Sequence, residues 1–119
     1  MALELNVDGH PVFAATGGRD FDPALPTIIF IHGASMNRTV WSAQARYFAH
    51  RGHAVLAVDL PGHGNSGGPL LETISDIADW IVRMMDAAGV KTAVLAGHSM
   101  GSLPVLEIAA RYPDRIVRI

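Results

Sequence analysis

A single serine stands between two glycines in residues 97–101, which read GHSMG. An apolar run at residues 93–96 precedes this segment, and residues 100–112 follow it with helical spacing. The order predicts a strand, a sharp turn and a helix, which is the G-x-S-x-G pattern of a nucleophile elbow that raises a serine Oγ above a sheet. Glycines are needed beside the serine because side chains would clash where the backbone doubles back. Ser99 is therefore the first candidate for a nucleophile.

Two further loops carry polar residues directly after apolar runs. Residues 32–35, HGAS, follow the β-branched run at 27–31, and residues 59–67, DLPGHGNSG, follow the run at 54–58. Such runs are typical of strands buried on both faces of a parallel sheet. Ligands of open α/β sheets bind beyond the carboxyl ends of the strands. The three loops are therefore expected to meet at one site.

The remaining segments alternate between strand and helix patterns. We predict a hairpin of residues 3–7 and 11–15 around Asp8-Gly9-His10, helices at 39–50 and 73–88, and a strand that opens at residue 116. Thr39 is the predicted N-cap of the first helix. This order predicts an α/β fold with a doubly wound, mostly parallel sheet and an N-terminal β-hairpin. Residues 1–119 are expected to form a single partial domain that ends in the strand after the elbow helix.

Composition narrows the function classes. The chain has 119 residues, half of them hydrophobic, a net charge of −2 and no cysteine. Disulfide and thiolate chemistry are excluded. Since there is no basic cluster, no apolar stretch of membrane-spanning length and no secretory signal, we expect no nucleic-acid or membrane partner and a cytoplasmic location.

The loop at residues 62–67 matches the dinucleotide fingerprint G-x-G-x-x-G, yet a nucleotide cofactor is not expected. Pro61 intervenes after the strand, and Gly68 and Pro69 separate the glycines from the next helix, so no helix N-terminus is aimed at a pyrophosphate. Asp59 is instead expected to accept backbone N–H groups of this loop. The six histidines show no paired ligand spacing, so no metal site is expected either.

Taken together, the HGAS loop, the DLPGHGNSG loop and the GHSMG elbow resemble the N-terminal half of an α/β-hydrolase-fold serine hydrolase. The resemblance implies that Ser99 is the nucleophile and that the backbone N–H groups of Ala34 and Met100 form the oxyanion hole. It also implies a small ester, lactone or related acyl substrate, and no cofactor.

Several side chains near these loops are candidates for the substrate pocket. They are Ser35, Met36, Trp41 and His98. Met36 and Trp41 are equally well explained as packing residues, and the His98 ring is expected to pack below the turn. Of the neighbouring histidines, His32 is expected to hydrogen-bond nearby backbone and His63 to be a solvated loop residue.

The departure from the family pattern concerns the base. Family members place an acid and then a histidine after the serine. After Ser99 this chain offers only Glu107 and Asp114 as acids, and no histidine. The 119 residues alone are therefore expected to be inactive, and an exposed sheet edge is expected to favour self-association or a second polypeptide. The alternatives are a non-catalytic ligand-binding or complementation module, and a carbon–carbon bond hydrolase or cofactor-free haloperoxidase of the same superfamily.

Overall fold

The computed structural model describes residues 2–119 as a six-stranded sheet with helices on both faces. The strands are β1 (Ala2–Val7), β2 (His10–Ala15), β3 (Thr27–Ile31), β4 (Ala54–Val58), β5 (Ala93–Gly97) and β6 (Ile116–Arg118). The helices are α1 (Ser42–Ala49), α2 (Ile74–Ala87) and α3 (Ser102–Arg111). None of the described helices is long and apolar enough to cross a membrane.

The N-terminal hairpin is confirmed, with a tighter turn than predicted. β1 and β2 pair antiparallel, and Asp8 and Gly9 both have positive φ, at 55° and 82°. Positive φ at both central residues is the mark of a two-residue type I′ turn, whose twist matches that of the strands. His10 consequently belongs to β2 and not to the turn.

The sheet runs in the order β1-β2-β4-β3-β5-β6, and β4, β3, β5 and β6 are mutually parallel neighbours. At the carboxyl end of β3, Ile31 aligns with Val58 of β4 and with Gly97 of β5. This register places the loops after β3, β4 and β5 at one edge. The predicted mostly parallel sheet with its antiparallel hairpin is therefore confirmed.

Alternate residues of the central strands face opposite sides of the sheet. Ile29 and Ile31 of β3 belong to the core that α2 and α3 cover, whereas Ile28 and Phe30 pack with Ala45 and Ala49 of α1. Both faces are thus buried, as the continuous apolar runs predict.

The helix after β3 begins differently from the prediction. A 3-10 helix at Arg38–Trp41 precedes α1, and its N-cap is Asn37. The Asn37 Oδ1 accepts hydrogen bonds from the Thr39 N–H at 2.9 Å and from the Thr39 hydroxyl at 2.6 Å. The prediction of Thr39 as the cap is wrong because its hydroxyl is a donor here, and asparagine supplies the accepting oxygen.

The helix after β5 is held against α2 by a polar clamp. The Tyr112 hydroxyl donates to Asp79 Oδ1 at 2.7 Å, and the Arg111 guanidinium donates to the same oxygen at 2.8 Å. The hydrogen bond from Tyr112 and the neighbouring Arg111 lower the pKa of Asp79 below its usual value. The clamp fixes the far end of α3, and the turn at its near end carries the elbow serine.

The packing of α3 can be tested with two residues of the same helix. Ile108 is fully buried, whereas Leu106 is 54% exposed. We expect Ile108→Ala to lower the free energy of unfolding by about 2–5 kcal/mol, because it removes core volume that the surroundings cannot refill. Leu106→Ala should change it by less than about 0.5 kcal/mol. Urea unfolding monitored by circular dichroism measures both, and equal losses would contradict this packing.

Candidate active site

Ser99 occupies a strained turn at the end of β5. Its φ is 55°, in the left-handed region, and the residue is exposed. The His98 N–H donates to Ile31 O at 3.0 Å, and the Gly101 N–H donates back to His98 O at 2.9 Å. A non-glycine residue in this conformation costs on the order of 1–3 kcal/mol, which the surrounding structure must offset. The turn therefore holds the serine backbone in one position above the sheet.

The two glycines of the elbow are required by close backbone approaches. A Cβ on Gly101 would lie 2.5 Å from both Ile31 O and His32 O, and a Cβ on Gly97 would lie 2.7 Å from Ser102 Cα. Real Cβ atoms essentially never show such separations. The steric reason predicted for these glycines is confirmed.

The loop after β3 lies beside the serine. A Cβ placed on Gly33 would lie 3.2 Å from Ser99 Cβ. The Met36 N–H donates to Gly33 O at 3.2 Å, and Ser35 has a φ of 59°. Positive φ at the third residue of a four-residue turn is characteristic of type II. Ala34 therefore occupies the second position of a turn that contacts the elbow.

His32 connects the loops after β3 and β4 through hydrogen bonds. Its ring is fully buried, Nδ1 donates to Gly33 O at 2.7 Å, and Nε2 accepts the Leu60 N–H at 3.0 Å. An accepting Nε2 requires the neutral imidazole. Burial lowers the pKa of His32 from its ordinary 6.5, which favours the same form. The expected backbone hydrogen bonding of His32 is confirmed.

Asp59 is a buried carboxylate that fixes the same two loops. It accepts the Arg38 N–H at 2.8 Å, the Arg38 Nη1 at 2.6 Å and the Asn65 N–H at 2.9 Å. The predicted role of Asp59 as an acceptor of backbone N–H groups is confirmed. Arg38 is a residue that the sequence analysis missed, because nothing in the local pattern pairs it with a carboxylate 21 positions away.

A cavity of about 220 Å³, here called the front cavity, opens next to the elbow. Three of the predicted site residues, Ala34, Ser35 and Met100, line it together. The rest of its wall is mostly apolar and comes from the loop after β4 and from α2: Leu60, Pro61, His63, Leu70, Leu71 and Ile77. His63 is half-buried and donates from Nδ1 to Pro61 O at 3.0 Å, a hydrogen bond within the loop after β4.

Trp41 and His98 lie elsewhere. They line a separate groove with Val40 and Gln44, where the two rings meet edge to face with centroids 6.3 Å apart. His98 is exposed, so the expectation that its ring packs below the turn is wrong. Met36 is 36% exposed, and its Sδ would lie 3.4 Å from a Cβ on Gly33. Roles for Met36, Trp41 and His98 in substrate binding stay predictions.

No hydrogen bond joins Ser99 Oγ to a histidine within residues 2–119. Both ring nitrogens of His32, and the Nδ1 atoms of His50 and His63, bond instead to backbone groups. Glu107 lies 3.1 Å from the Arg111 guanidinium, on the far part of α3. Over the same residues, no three His, Asp or Glu side chains are grouped to hold a metal ion.

The burial of His32 predicts a pH dependence of stability. The unfolded chain takes up a proton near pH 6.5, whereas the folded protein does so only at a lower pH. The free energy of unfolding should therefore be highest above about pH 7 and should decrease as the pH drops through 6.5. We expect His32→Asn to flatten the difference between urea unfolding at pH 7.5 and at pH 5.5.

The control for this experiment is His50→Asn, at the exposed C-cap of α1. It should keep the pH dependence of the wild type. An unchanged dependence in His32→Asn would show that the buried imidazole is not its source.

The chain is similar in sequence to known proteins. The sequence profile of the alpha/beta hydrolase fold matches residues 26–119. The chain is 33% identical over 93 residues to (E)-2-((N-methylformamido)methylene)succinate hydrolase of Acinetobacter baylyi, an alignment that covers 77% of this chain and 35% of that protein. It is 35% identical over 112 residues to the bifunctional esterase/perhydrolase DCH of Acinetobacter calcoaceticus, covering 90% of this chain and 38% of that protein.

Solved structures give the same result. A membrane phospholipase A described as a bacterial virulence factor superposes with a TM-score of 0.87 at 30% identity, over 98% of this chain and 37% of that one. The chain thus spans about a third of the length of these relatives. From the profile match over residues 26–119 and the shared architecture, the chain belongs to the alpha/beta hydrolase fold family.

Proposed function

We propose that the protein is a serine hydrolase that cleaves a small ester, lactone or related acyl substrate through an acyl-enzyme on Ser99. The observation that carries the proposal is the exposed serine in a left-handed turn, beside a second turn that contains Ala34. The relationship to a protein named an esterase/perhydrolase supports an ester substrate. The family membership supports the broader class of hydrolase.

In the proposed reaction, Ser99 Oγ attacks the carbonyl carbon while its proton passes to a base. The carbonyl oxygen becomes an oxyanion that accepts hydrogen bonds from the N–H groups of Ala34 and Met100. Each such donor contributes roughly 3–4 kcal/mol of transition-state stabilisation. The leaving alcohol takes the proton from the base as the tetrahedral intermediate collapses. Water then hydrolyses the acyl-enzyme to give the acid and restores the serine.

The base in this proposal is not one of the six histidines of the chain. The described hydrogen bonds leave Ser99 Oγ without a histidine partner, and a serine hydroxyl without a base is a weak nucleophile at neutral pH. We therefore propose that the 119 residues alone hydrolyse esters poorly. Carbon–carbon bond hydrolysis and cofactor-free haloperoxidase chemistry stay alternatives, as does ligand binding without catalysis.

We also propose that the outer edge of β6 pairs with a strand of another polypeptide. In a solution that contains this protein only, that polypeptide is a second copy of it. β6 pairs with β5, and no strand of residues 2–119 pairs with its other side. Val117 of β6 is 67% exposed, and Ile119, the residue after the strand, is 54% exposed. Unpaired apolar edges invite such pairing.

The serine assignment predicts chemical rescue. We expect a fluorophosphonate to label the 119-residue chain slowly, and added imidazole to accelerate labelling by supplying the missing base. Ser99→Ala should abolish this reaction, whereas Ser75→Ala, an exposed serine on α2, should react as the wild type does. Intact-protein mass spectrometry measures the rates. Rapid labelling without imidazole would place a base within the chain, and no labelling of Ser99 at any imidazole concentration would remove it as the nucleophile.

The edge assignment predicts concentration-dependent self-association. Sedimentation velocity of the wild type should show a dimer whose fraction rises with protein concentration. Val117→Lys should shift the chain toward monomer, because a lysine on an edge strand opposes pairing. Val40→Lys makes the same change at a 44% exposed valine on the 3-10 helix before α1 and should not affect the dimer. A wild type that is monomeric at every concentration would contradict the proposal.

A further inference from the structure

A second cavity adjoins the front cavity. This rear cavity has a volume of about 120 Å³ and is lined by residues of the hairpin, the glycine-rich loop and α2. Val7, Val12 and Trp80 contribute its apolar wall. Pro61 and Leu71 line both cavities, so these two side chains form the partition between them.

We infer that the front cavity binds the apolar chain of the acyl substrate, and that Leu71 limits how long that chain can be. The inference rests on the proposed function of Ser99 and adds the substrate class. No Asp, Glu, Lys or Arg side chain lines the front cavity, and its wall is mainly aliphatic, so an apolar group gains by entering it. Ala34 and Met100 line the same cavity, so an acyl chain bound there lies next to the proposed oxyanion donors.

The volumes give the scale of the chain length. At about 30 Å³ for a water-sized group, the volume of the front cavity corresponds to about seven non-hydrogen atoms and that of the rear cavity to about four more. The substrate class is therefore an acyl chain of about six carbons. Chains of about ten carbons require the partition to open.

Leu70 and Leu71 provide a matched pair of variants. Leu71 is half-buried, packs against the main core and lines both cavities. Leu70 is 63% exposed and lines the front cavity, but it is not in the wall of the rear one. Only Leu71→Ala should join the two cavities. Leu71→Phe, which enlarges the partition, is a second variant that does not depend on creating a void in the core.

The experiment follows binding and not turnover. The chain has two tryptophans, Trp41 in the separate groove and Trp80 in the rear cavity. In a Trp41→Phe background, fluorescence therefore reports on the rear cavity alone. The ligands are straight-chain carboxylates brominated at the terminal carbon, from bromobutanoate to bromodecanoate. They are titrated into the protein, because bromine quenches tryptophan fluorescence on contact. Dissociation constants come from NMR shifts in the same titrations.

With Leu71 present, affinity should rise about fourfold for each added methylene up to hexanoate and then level off, with little quenching of Trp80. Leu71→Ala should extend the rise to decanoate and produce strong quenching by bromodecanoate. Leu71→Phe should move the plateau to shorter chains. Leu70→Ala should weaken the binding of every carboxylate by a similar factor and leave the affinity plateau at hexanoate.

Two results would overturn the inference. One is an affinity that levels off at the same carboxylate length in Leu71→Ala, in Leu71→Phe and in the parent. The other is the absence of any chain-length dependence in the parent. Repeating the titration in Ser99→Ala separates this inference from the proposed function, because chain binding does not need the serine hydroxyl. If the plateau depends on Leu71 but imidazole does not accelerate labelling, the front cavity remains the binding site and Ser99 is not the nucleophile. If imidazole accelerates labelling but the plateau does not depend on Leu71, Ser99 remains the nucleophile and the inference about the cavity is wrong.

Discussion

The close approach of the elbow to the end of β3 is the contact on which the site depends. Gly101 lies so near Ile31 O and His32 O that no side chain fits between them. Since Ser99 is two residues away, with φ at 55°, this approach fixes the serine relative to the sheet and to the next loop. Burial of both sheet faces gives β3 and β5 the rigidity that the approach requires.

A second constraint acts on the loop that faces the serine. Ser35 also has a positive φ, and a strained turn at the surface persists only where its surroundings determine it. Two buried polar groups do so. His32 ties Gly33 to Leu60, and Asp59 binds Arg38 at the end of the same loop. Removing one partner of a buried ion pair is costly, because it leaves an uncompensated charge. The loops after β3 and β4 therefore hold each other in place.

Local patterns predicted the framework well and the contacts between loops poorly. The strands at Thr27–Ile31 and Ala54–Val58 agree with their apolar runs, and α2 begins after the Thr73 cap and ends before Gly89, whose φ is positive. Arg38 was missed and the His98 ring was misplaced, because their positions depend on how separate segments pack. Adjacent residues at a sharp turn point apart, but only the packing of the 3-10 helix before α1 shows that the His98 ring lies against Trp41.

These contacts also bear on how the proposed reaction is organised. The serine backbone is held by the elbow, the facing turn by His32 and Asp59, and the front cavity by Leu71 against the core. All of these contacts lie within residues 2–119, where no hydrogen bond joins Ser99 Oγ to a histidine. If Ser99 is the nucleophile, the base must therefore be brought to a serine that is already positioned. Most of the entropic cost of orientation then falls on the group that carries the base, since the serine and the proposed oxyanion donors are fixed before it arrives.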